Sequence, residues 1–132
     1  MNINSKKLKI KKDTRGRLIE IIKPQDVYNK IKGQILLTTA FPGQTKGNHY
    51  HKRKIEWYCV IKGKGLLTLT DNKTQKIKKV ICDGTKPILI EIPRNHLHAI
   101  TNIGDEEMEL VIYIDEVFNP KDPDTYYSEV SL

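Results

Sequence analysis

Four side chains of this sequence are of the types that hold transition-metal ions, and they are His49, His51, Glu56 and His98. His49 and His51 are two residues apart, so on a β-strand both imidazoles point to the same face. Glu56 follows across an expected turn or strand edge, and His98 begins a later strand. Three imidazoles and one carboxylate suit a divalent metal, with Zn²⁺ the first expectation and Fe²⁺, Mn²⁺ or Ni²⁺ as alternatives, and they leave coordination positions for water or substrate. A His-x-His pair alone is weak evidence, since histidines also occur by chance in cores and on surfaces.

The elements that must position these side chains are short β-strands. Apolar and β-branched runs alternate with Gly, Pro, Asn and Asp turn signals, and the runs are 18–22, 34–40, 55–61, 66–70, 77–81, 88–92, 98–102 and 109–114. Leu8 and Ile10 alternate with lysines in a further stretch, and one helical turn is expected from Pro24. This spacing is typical of an all-β sandwich or barrel. We expect one domain over 1–132, with N-terminal strands in 1–33, a core at about 34–115 and an acidic arm at 115–132.

The net charge of +7 is unevenly distributed along the chain. Residues 1–103 hold 22 Lys and Arg against 7 Asp and Glu, whereas residues 104–132 hold one against nine. The protein is therefore a basic body with an acidic tail, and the tail is expected to pack over the basic body of its own or a neighbouring subunit. No basic stripe alternates with aromatic residues, so a nucleic-acid partner is not expected.

The two cysteines, Cys59 and Cys82, form no close pairing motif and are expected to be free thiols in a reducing cytoplasm. The Lys-rich N-terminus lacks the apolar region of a signal peptide. No apolar run approaches the roughly 18 residues that span a membrane, so no membrane association is expected.

The spacing of the candidate ligands resembles the two motifs of the cupin superfamily. The first motif, Gly-x5-His-x-His-x4-Glu-x6-Gly, is matched throughout by Gly43, His49, His51, Glu56 and Gly63. The second motif, Pro-x-Gly-x-x-His-x-x-x-Asn, is resembled by Pro93, Asn95, His98 and Asn102. Asn95 stands where Gly is usual, which is tolerable because Asn also accepts a left-handed backbone. The resemblance implies a jelly-roll (double-stranded β-helix) barrel with the four ligands lining one open end.

Strand parity then extends the site. Tyr58 shares the face of Glu56 and is expected to point toward the cavity, whereas Trp57 and its neighbours on the other face meet a packing layer or a dimer interface. His96 lies two residues before His98, so on a regular strand both side chains point to the same face. It is either a second imidazole at the cavity or an exposed loop residue, if the turn at Asn95 breaks the strand.

Three further stretches resemble enzymes of nucleotide-linked keto sugars. Asp13-Thr14-Arg15-Gly16 is similar to an N-terminal segment of the dTDP-4-keto-rhamnose 3,5-epimerase family. The segments 41–51 and 115–126 resemble the C-terminal cupin domain of the CapF family of capsular polysaccharide enzymes, and that resemblance runs from about residue 12 to 130. It does not include the N-terminal reductase-like domain of that family, so only the reaction of the cupin domain is expected here.

This resemblance implies a metal-dependent epimerase that acts at C3 of a UDP- or dTDP-linked 4-keto-6-deoxy sugar, in the synthesis of surface polysaccharide precursors. A metal can polarise a ketone while a base removes the neighbouring proton and an acid returns one to the opposite face. Because the ligands' lone pairs face the metal, the acid/base candidates are Tyr58, His96 and Lys46. Arg15, Lys46 and Arg53 are expected to meet the diphosphate, the alternative for Arg15 being a structural ion pair. The family resemblance also implies a homodimer.

Other functions fit the same residues. A 3,4-ketoisomerase would act on the same substrate class by moving the carbonyl. Three histidines and a glutamate can also hold the Fe²⁺ of a dioxygenase, although such an enzyme needs no diphosphate site. A non-catalytic sugar-binding cupin would bind ligand without exchanging protons, and the fold alone does not choose among these functions.

Overall fold

The computed structural model describes residues 6–130. The first five residues of the predicted N-terminal region and the last two of the predicted acidic arm lie outside the described residues. Within the described part, no helix has the length and apolar character needed to cross a membrane.

The chain folds into two antiparallel sheets that face each other. The first sheet has the order β1-β2-β3-β10-β5-β8 and the second the order β11-β4-β9-β6-β7. The strands are β1 (Ile10–Lys12), β2 (Arg17–Ile22), β3 (Gln34–Ala40), β4 (Thr45–Tyr50), β5 (Glu56–Lys62), β6 (Lys64–Asp71), β7 (Ile77–Asp83), β8 (Ile90–Ile92), β9 (His96–Asn102), β10 (Met108–Ile114) and β11 (Tyr126–Tyr127). A 3-10 helix, Pro24–Val27, precedes β3. The all-β jelly-roll prediction is confirmed.

The core lies between the sheets and follows the alternation of the strands. Along β10 the buried residues are Met108, Leu110, Ile112 and Ile114, and the residues that alternate with them are half-buried. These side chains join Val60, Leu67 and Ile100 in the buried core between the sheets. Burial of each large apolar side chain contributes about 1.5–3 kcal/mol, so this core holds the sheets face to face.

Two strands differ from the sequence prediction. The run 88–92 forms only the three-residue β8, which pairs with β5 from Ile90 to Ile92, and Ile88 and Leu89 remain exposed. The segment Thr45–Tyr50 has no apolar run, yet it forms β4 by pairing with β9. The helical turn expected at Pro24 is present and ends where Tyr28 takes a left-handed conformation, with φ of 55°.

The acidic arm packs on its own chain. Tyr126 and Tyr127 form β11 against the outer edge of β4, and the ring of Tyr126 stacks on that of Tyr50 at 5.2 Å between centroids. The segment between β10 and β11 contacts the loop that connects β4 to β5. The arm therefore borders the end of the barrel that holds the candidate ligands.

Candidate metal centre

Backbone irregularities in β4 set the position of its histidine. Gly47 has φ of +101°, and a Cβ there would lie 2.8 Å from the carbonyl oxygen of His98, so only glycine permits this approach of β4 to β9. Asn48 is also left-handed, with φ of 58°, and the register shifts between Gly47 and His49. This bulge places His49 directly opposite His98 on the neighbouring strand.

The other ligands come from a loop and a second sheet. His51 lies one residue beyond β4, and Glu56 is the first residue of β5. The turn before β9 is left-handed at Asn95, with φ of 58°, which confirms that asparagine serves where the motif has glycine. Asn95 also donates its backbone N–H to the carbonyl of His51 at 2.7 Å, so the turn holds the ligand loop.

The four candidate ligands converge on one point. Their ligand atoms all lie within 4.8 Å of one another, and all but the half-buried His49 are buried. Glu56 Oε1 lies 2.8 Å from His51 Nε2 and 3.1 Å from His98 Nε2. The ring of His49 meets that of His98 edge to face at 4.7 Å. The sequence prediction of a shared site for these residues is matched by this geometry.

Backbone carbonyls orient two of the imidazoles. His51 Nδ1 lies 2.7 Å from the carbonyl oxygen of Asp124, and His98 Nδ1 lies 2.9 Å from that of His96. A carbonyl oxygen only accepts hydrogen bonds, so Nδ1 carries the proton in both rings. Nε2 of each ring faces the centre of the cluster, where it can present its lone pair to a cation once it carries no proton. Histidine ligands of metals are commonly oriented in this way.

The donor set fits a divalent metal ion. Among residues 6–130, His98 Nε2 is the buried side-chain polar atom without a hydrogen-bond partner. A buried acceptor without a partner costs free energy, and a cation at the centre of the cluster would satisfy it together with Glu56 and the other two rings. The four residues could thus hold Zn²⁺ or another of the ions named above, with positions left for water or substrate.

The electrostatics keep His49 and Glu56 in their metal-binding forms. Burial lowers the pKa of His49 to about 3, so its imidazole is neutral. Burial raises the pKa of Glu56, but its close contacts with the rings of His51 and His98 outweigh the effect of burial and lower the pKa well below its usual range. Burial also lowers the pKa of His51, and here the hydrogen bond to Glu56 outweighs it and raises the pKa. The cluster therefore contains a carboxylate that stays ionised and attracts positive charge.

The cluster opens into a cavity of about 590 Å³ between the sheets. Tyr58 lines the cavity beside the ligands, with its ring edge to face with that of His98 at 5.8 Å, as strand parity predicted. Burial, and then the charge of Glu56, raise the pKa of Tyr58 well above its usual value. Its phenol is therefore protonated at neutral pH.

A basic rim surrounds the outer part of the cavity, and it consists of Lys11, Lys12, Arg15 and Lys46. Arg15 lines the cavity and also donates to Asp13 at 2.8 Å, so the two interpretations of this residue are compatible. Burial, followed by the charge of Arg15, lowers the pKa of Lys46, while Asp13 opposes the shift. The rim is suited to an anionic group.

Three of the predicted site residues do not line the cavity, and one of them is the ligand His98, which is fully buried against the rings of His49 and Tyr58. His96 donates from Nδ1 to the carbonyl of Arg94 at 2.8 Å, and its Nε2 lies 3.9 Å from Asp71. Arg53 forms ion pairs with Glu116 at 2.6 Å and Asp122 at 3.2 Å on the protein surface. His96 is therefore neither a second imidazole at the cavity nor a loop residue, because β9 already begins there, whereas ion pairs with the acidic arm hold Arg53 at the surface.

The arm contributes residues that the sequence reasoning did not single out. Phe118 and Tyr127 line the cavity, and the ammonium of the buried Lys54 lies 5.4 Å from the Phe118 ring centroid and donates to the carbonyl of Pro123 at 3.0 Å. Asp124 contacts the ligand loop. These residues are about 70 positions from the motif, and no local pattern links them to it.

Comparison with known proteins finds relatives whose names refer to polysaccharide biosynthesis or to a UDP-linked sugar. The family described as "Polysaccharide biosynthesis C-terminal domain" matches residues 11–126. UDP-2-acetamido-2,6-beta-L-arabino-hexul-4-ose reductase of Pseudomonas aeruginosa is 35% identical over 118 residues, which is 89% of this chain and 30% of that protein. Spore coat polysaccharide biosynthesis protein SpsL of Bacillus subtilis is 25% identical over 127 residues, covering 92% of this chain and 84% of that protein. The chain thus spans about a third of the length of the first of these relatives.

Solved structures agree with the fold. The capsular polysaccharide assembling protein CapF from Staphylococcus aureus superposes with a TM-score of 0.87 and 35% identity, over 96% of this chain and 33% of that one. A variant of the Bacillus subtilis oxalate decarboxylase superposes with a TM-score of 0.74 at 18% identity, over 91% of this chain and 30% of that one. The latter likeness concerns the fold alone.

Proposed function

The chain belongs to the polysaccharide biosynthesis C-terminal domain family, and on this premise we propose that it is a metal-dependent epimerase of a nucleotide-linked 4-keto-6-deoxy sugar, acting at C3 in the cytoplasm. Its relatives are named for a reductase of a UDP-linked hexulose and for the assembly of capsule and spore-coat polysaccharides. The observation that carries the proposal is one cavity lined by three of the four convergent ligands, a buried phenol and a basic rim, with the fourth ligand, His98, buried against the ring of His49.

The ligand cluster would hold a divalent ion through His49, His51, Glu56 and His98. Bound there, such an ion supplies positive charge beside the ketone oxygen of a sugar, which makes the neighbouring C–H bond more acidic. The residues of the chain have to place that ketone at the cluster, exclude bulk water and move the proton.

The basic rim places the substrate. A diphosphate accepts hydrogen bonds from Arg15 and Lys46 at the mouth of the cavity, and the sugar then extends inward toward Tyr58. Apolar side chains of β10, Leu110 and Ile112, line the space in between. A sugar lacking its 6-hydroxyl suits such a wall better than a fully hydroxylated one.

Tyr58 and Lys46 are assigned to proton transfer. The proton on C3 leaves to a base on one face, its electron pair forms the enolate, and the opposite face receives a proton from an acid. Tyr58, whose raised pKa keeps it protonated, is the donor near the ligands. Lys46, whose pKa is lowered, is the base candidate. As a base it would be a neutral amine, so in that role Arg15 and not Lys46 would hold the diphosphate. Solvent then restores both groups. His96 is left out of this assignment because it does not line the cavity.

The direct test is isotope exchange. A UDP-linked 4-keto-6-deoxy sugar and its dTDP counterpart are incubated in heavy water with the Zn²⁺-loaded protein, and deuterium at C3 is measured by mass spectrometry and NMR. We expect exchange well above that of a protein-free control, which corrects for spontaneous enolisation. The absence of any excess at full metal occupancy, with both nucleotides, would refute the epimerase.

Product analysis in the same experiment separates the related functions. An epimer at C3 supports the proposal, and a carbonyl moved to C3 identifies the 3,4-ketoisomerase. UDP binding without exchange identifies a sugar-binding cupin. Oxygen uptake with added Fe²⁺ identifies the dioxygenase.

A further inference from the structure

The loop between His51 and Glu56 is held by the acidic arm rather than by its own strands. The carboxylate of Asp124 accepts the backbone N–H groups of Lys52, Arg53 and Lys54 at 3.1, 2.9 and 3.1 Å. The next N–H, that of Ile55, donates to the carboxylate of Asp115 at 3.0 Å. Every backbone N–H between the two ligands therefore donates a hydrogen bond to an acidic side chain of the arm.

Asp124 also contacts a ligand directly. Its backbone carbonyl accepts the Nδ1–H of His51 at 2.7 Å, which fixes the ring so that Nε2 faces the cluster. One residue thus sets both the course of the ligand loop and the orientation of the imidazole that begins it. The four-residue loop leaves little slack, so a shift of its backbone moves His51 and Glu56 together.

The burial of Asp124 argues against an incidental surface contact. Only 5% of the residue is exposed, and among residues 6–130 no basic side chain forms an ion pair with its carboxylate. A buried carboxylate is costly unless it is hydrogen-bonded, and here its bonds go to the loop that carries the ligands. The neighbouring Asp122 differs, because it is exposed and its carboxylate pairs with the side chain of Arg53 at 3.2 Å.

We propose that Asp124 is a positioning residue for the metal site, through which the acidic arm sets the affinity and geometry of the bound ion. The inference rests on the metal site of the proposed function and not on epimerisation. It gives the acidic tail of the sequence a specific task, which is to hold the loop between two ligands.

The test compares Asp124→Ala with Asp122→Ala, which removes the same charge from the same arm but breaks only an exposed side-chain ion pair with Arg53 and no bond to the loop backbone. Zn²⁺ affinity is measured by competition with a chromophoric chelator, and Co²⁺ absorption reports the coordination geometry. Alanine keeps the backbone carbonyl that contacts His51 but removes the carboxylate that accepts three N–H groups of the ligand loop. We therefore expect Asp124→Ala to lower Zn²⁺ affinity about tenfold or more and to alter the Co²⁺ spectrum, the usual scale for loss of a group that supports metal ligands. Asp122→Ala should stay within about twofold of the wild type, as expected for an exposed ion pair.

A second variant, Asp124→Asn, keeps one accepting oxygen and the size of the side chain. Its Zn²⁺ affinity should fall between those of the wild type and Asp124→Ala. If Asp124→Ala does not fold, the Zn²⁺ affinity and Co²⁺ spectrum of Asp124→Asn test the inference instead. Unchanged Zn²⁺ affinity and an unchanged Co²⁺ spectrum in the folded variants, with only a lower melting temperature, would overturn the inference. A wild-type protein that binds neither ion would overturn both the metal site and the inference. A wild type that binds Zn²⁺ without exchanging substrate protons would refute only the epimerase.

Discussion

The two ends of the cavity are built on opposite principles. At the inner end, His51, Glu56 and His98 are buried, and the two imidazoles are each fixed by a backbone carbonyl. At the outer end, the cations of the rim lie on exposed or half-buried side chains, and Arg15 is paired with an equally exposed Asp13. The inner end consists of buried polar groups, most of which are hydrogen-bonded, whereas the outer end consists of charged groups in contact with water.

This difference separates the residues proposed to take part in the reaction from those proposed to bind the diphosphate of the substrate. Charges inside a protein are screened little, so a small displacement at the inner end changes reactivity strongly. Exposed charges are screened by salt and solvated, so no single cation at the rim contributes much. The expected effects of substitution therefore decrease from the ligands outward, and the following experiments test that gradient.

The largest effect is expected for His98→Ala at the inner end. Losing this ligand should abolish stoichiometric Zn²⁺ binding and reduce proton exchange by about 1000-fold or more, because several kcal/mol of charge stabilisation are lost. Metal content and deuterium incorporation measure the two losses. The contrasting change, His96→Ala, lies two residues away on the same strand but outside the cavity, and should leave both values near wild type. Equal losses in the two variants would contradict the placement of the site.

Tyr58→Phe should have the next largest effect. The change removes only the phenol hydroxyl from a buried ring, so the fold and the Zn²⁺ content should be retained. Exchange at C3 should fall about 100-fold, the usual contribution of a positioned proton donor. Melting temperature and metal analysis serve as controls for the fold and the site. Wild-type exchange rates in this variant would exclude the hydroxyl from proton transfer.

At the outer end, Arg15→Ala and Lys46→Ala should each weaken UDP binding about tenfold at low salt, since a charged hydrogen bond to phosphate is lost from a partly exposed site. Calorimetry at rising ionic strength should show the difference from wild type shrinking. Lys46→Arg separates the two roles of this residue. It restores UDP binding if the charge is what matters, but an always-protonated guanidinium cannot restore exchange if Lys46 is the base. A salt-independent loss would contradict an electrostatic rim.

The same contrast explains how much the sequence could predict. The ligands and Tyr58 follow from motif spacing and strand parity, which are local properties of β4, β5 and β9. The bulge at Asn48 adds to that pattern by turning His49 toward His98. The role of Asp124 could not be predicted, because its partners are backbone N–H groups about 70 residues away that carry no sequence signature. For His96 the sequence left two positions open, and the structure shows neither, because His96 is the first residue of β9 and yet does not line the cavity.

The smallest effect is expected for Arg53→Ala, although the sequence suggested a substrate contact there. Its guanidinium pairs with Glu116 at 2.6 Å and with Asp122 at 3.2 Å, and these carboxylates raise its pKa further above its already high usual value. Both pairs are solvent-exposed, so their loss should hardly move the urea midpoint of unfolding. UDP affinity and Zn²⁺ affinity should also stay unchanged, because the backbone N–H of residue 53, and not its side chain, is what Asp124 holds. If UDP binding instead fell as far as it does in Arg15→Ala, the anion site would extend outside the cavity along the arm, and the separation between the two ends would no longer hold.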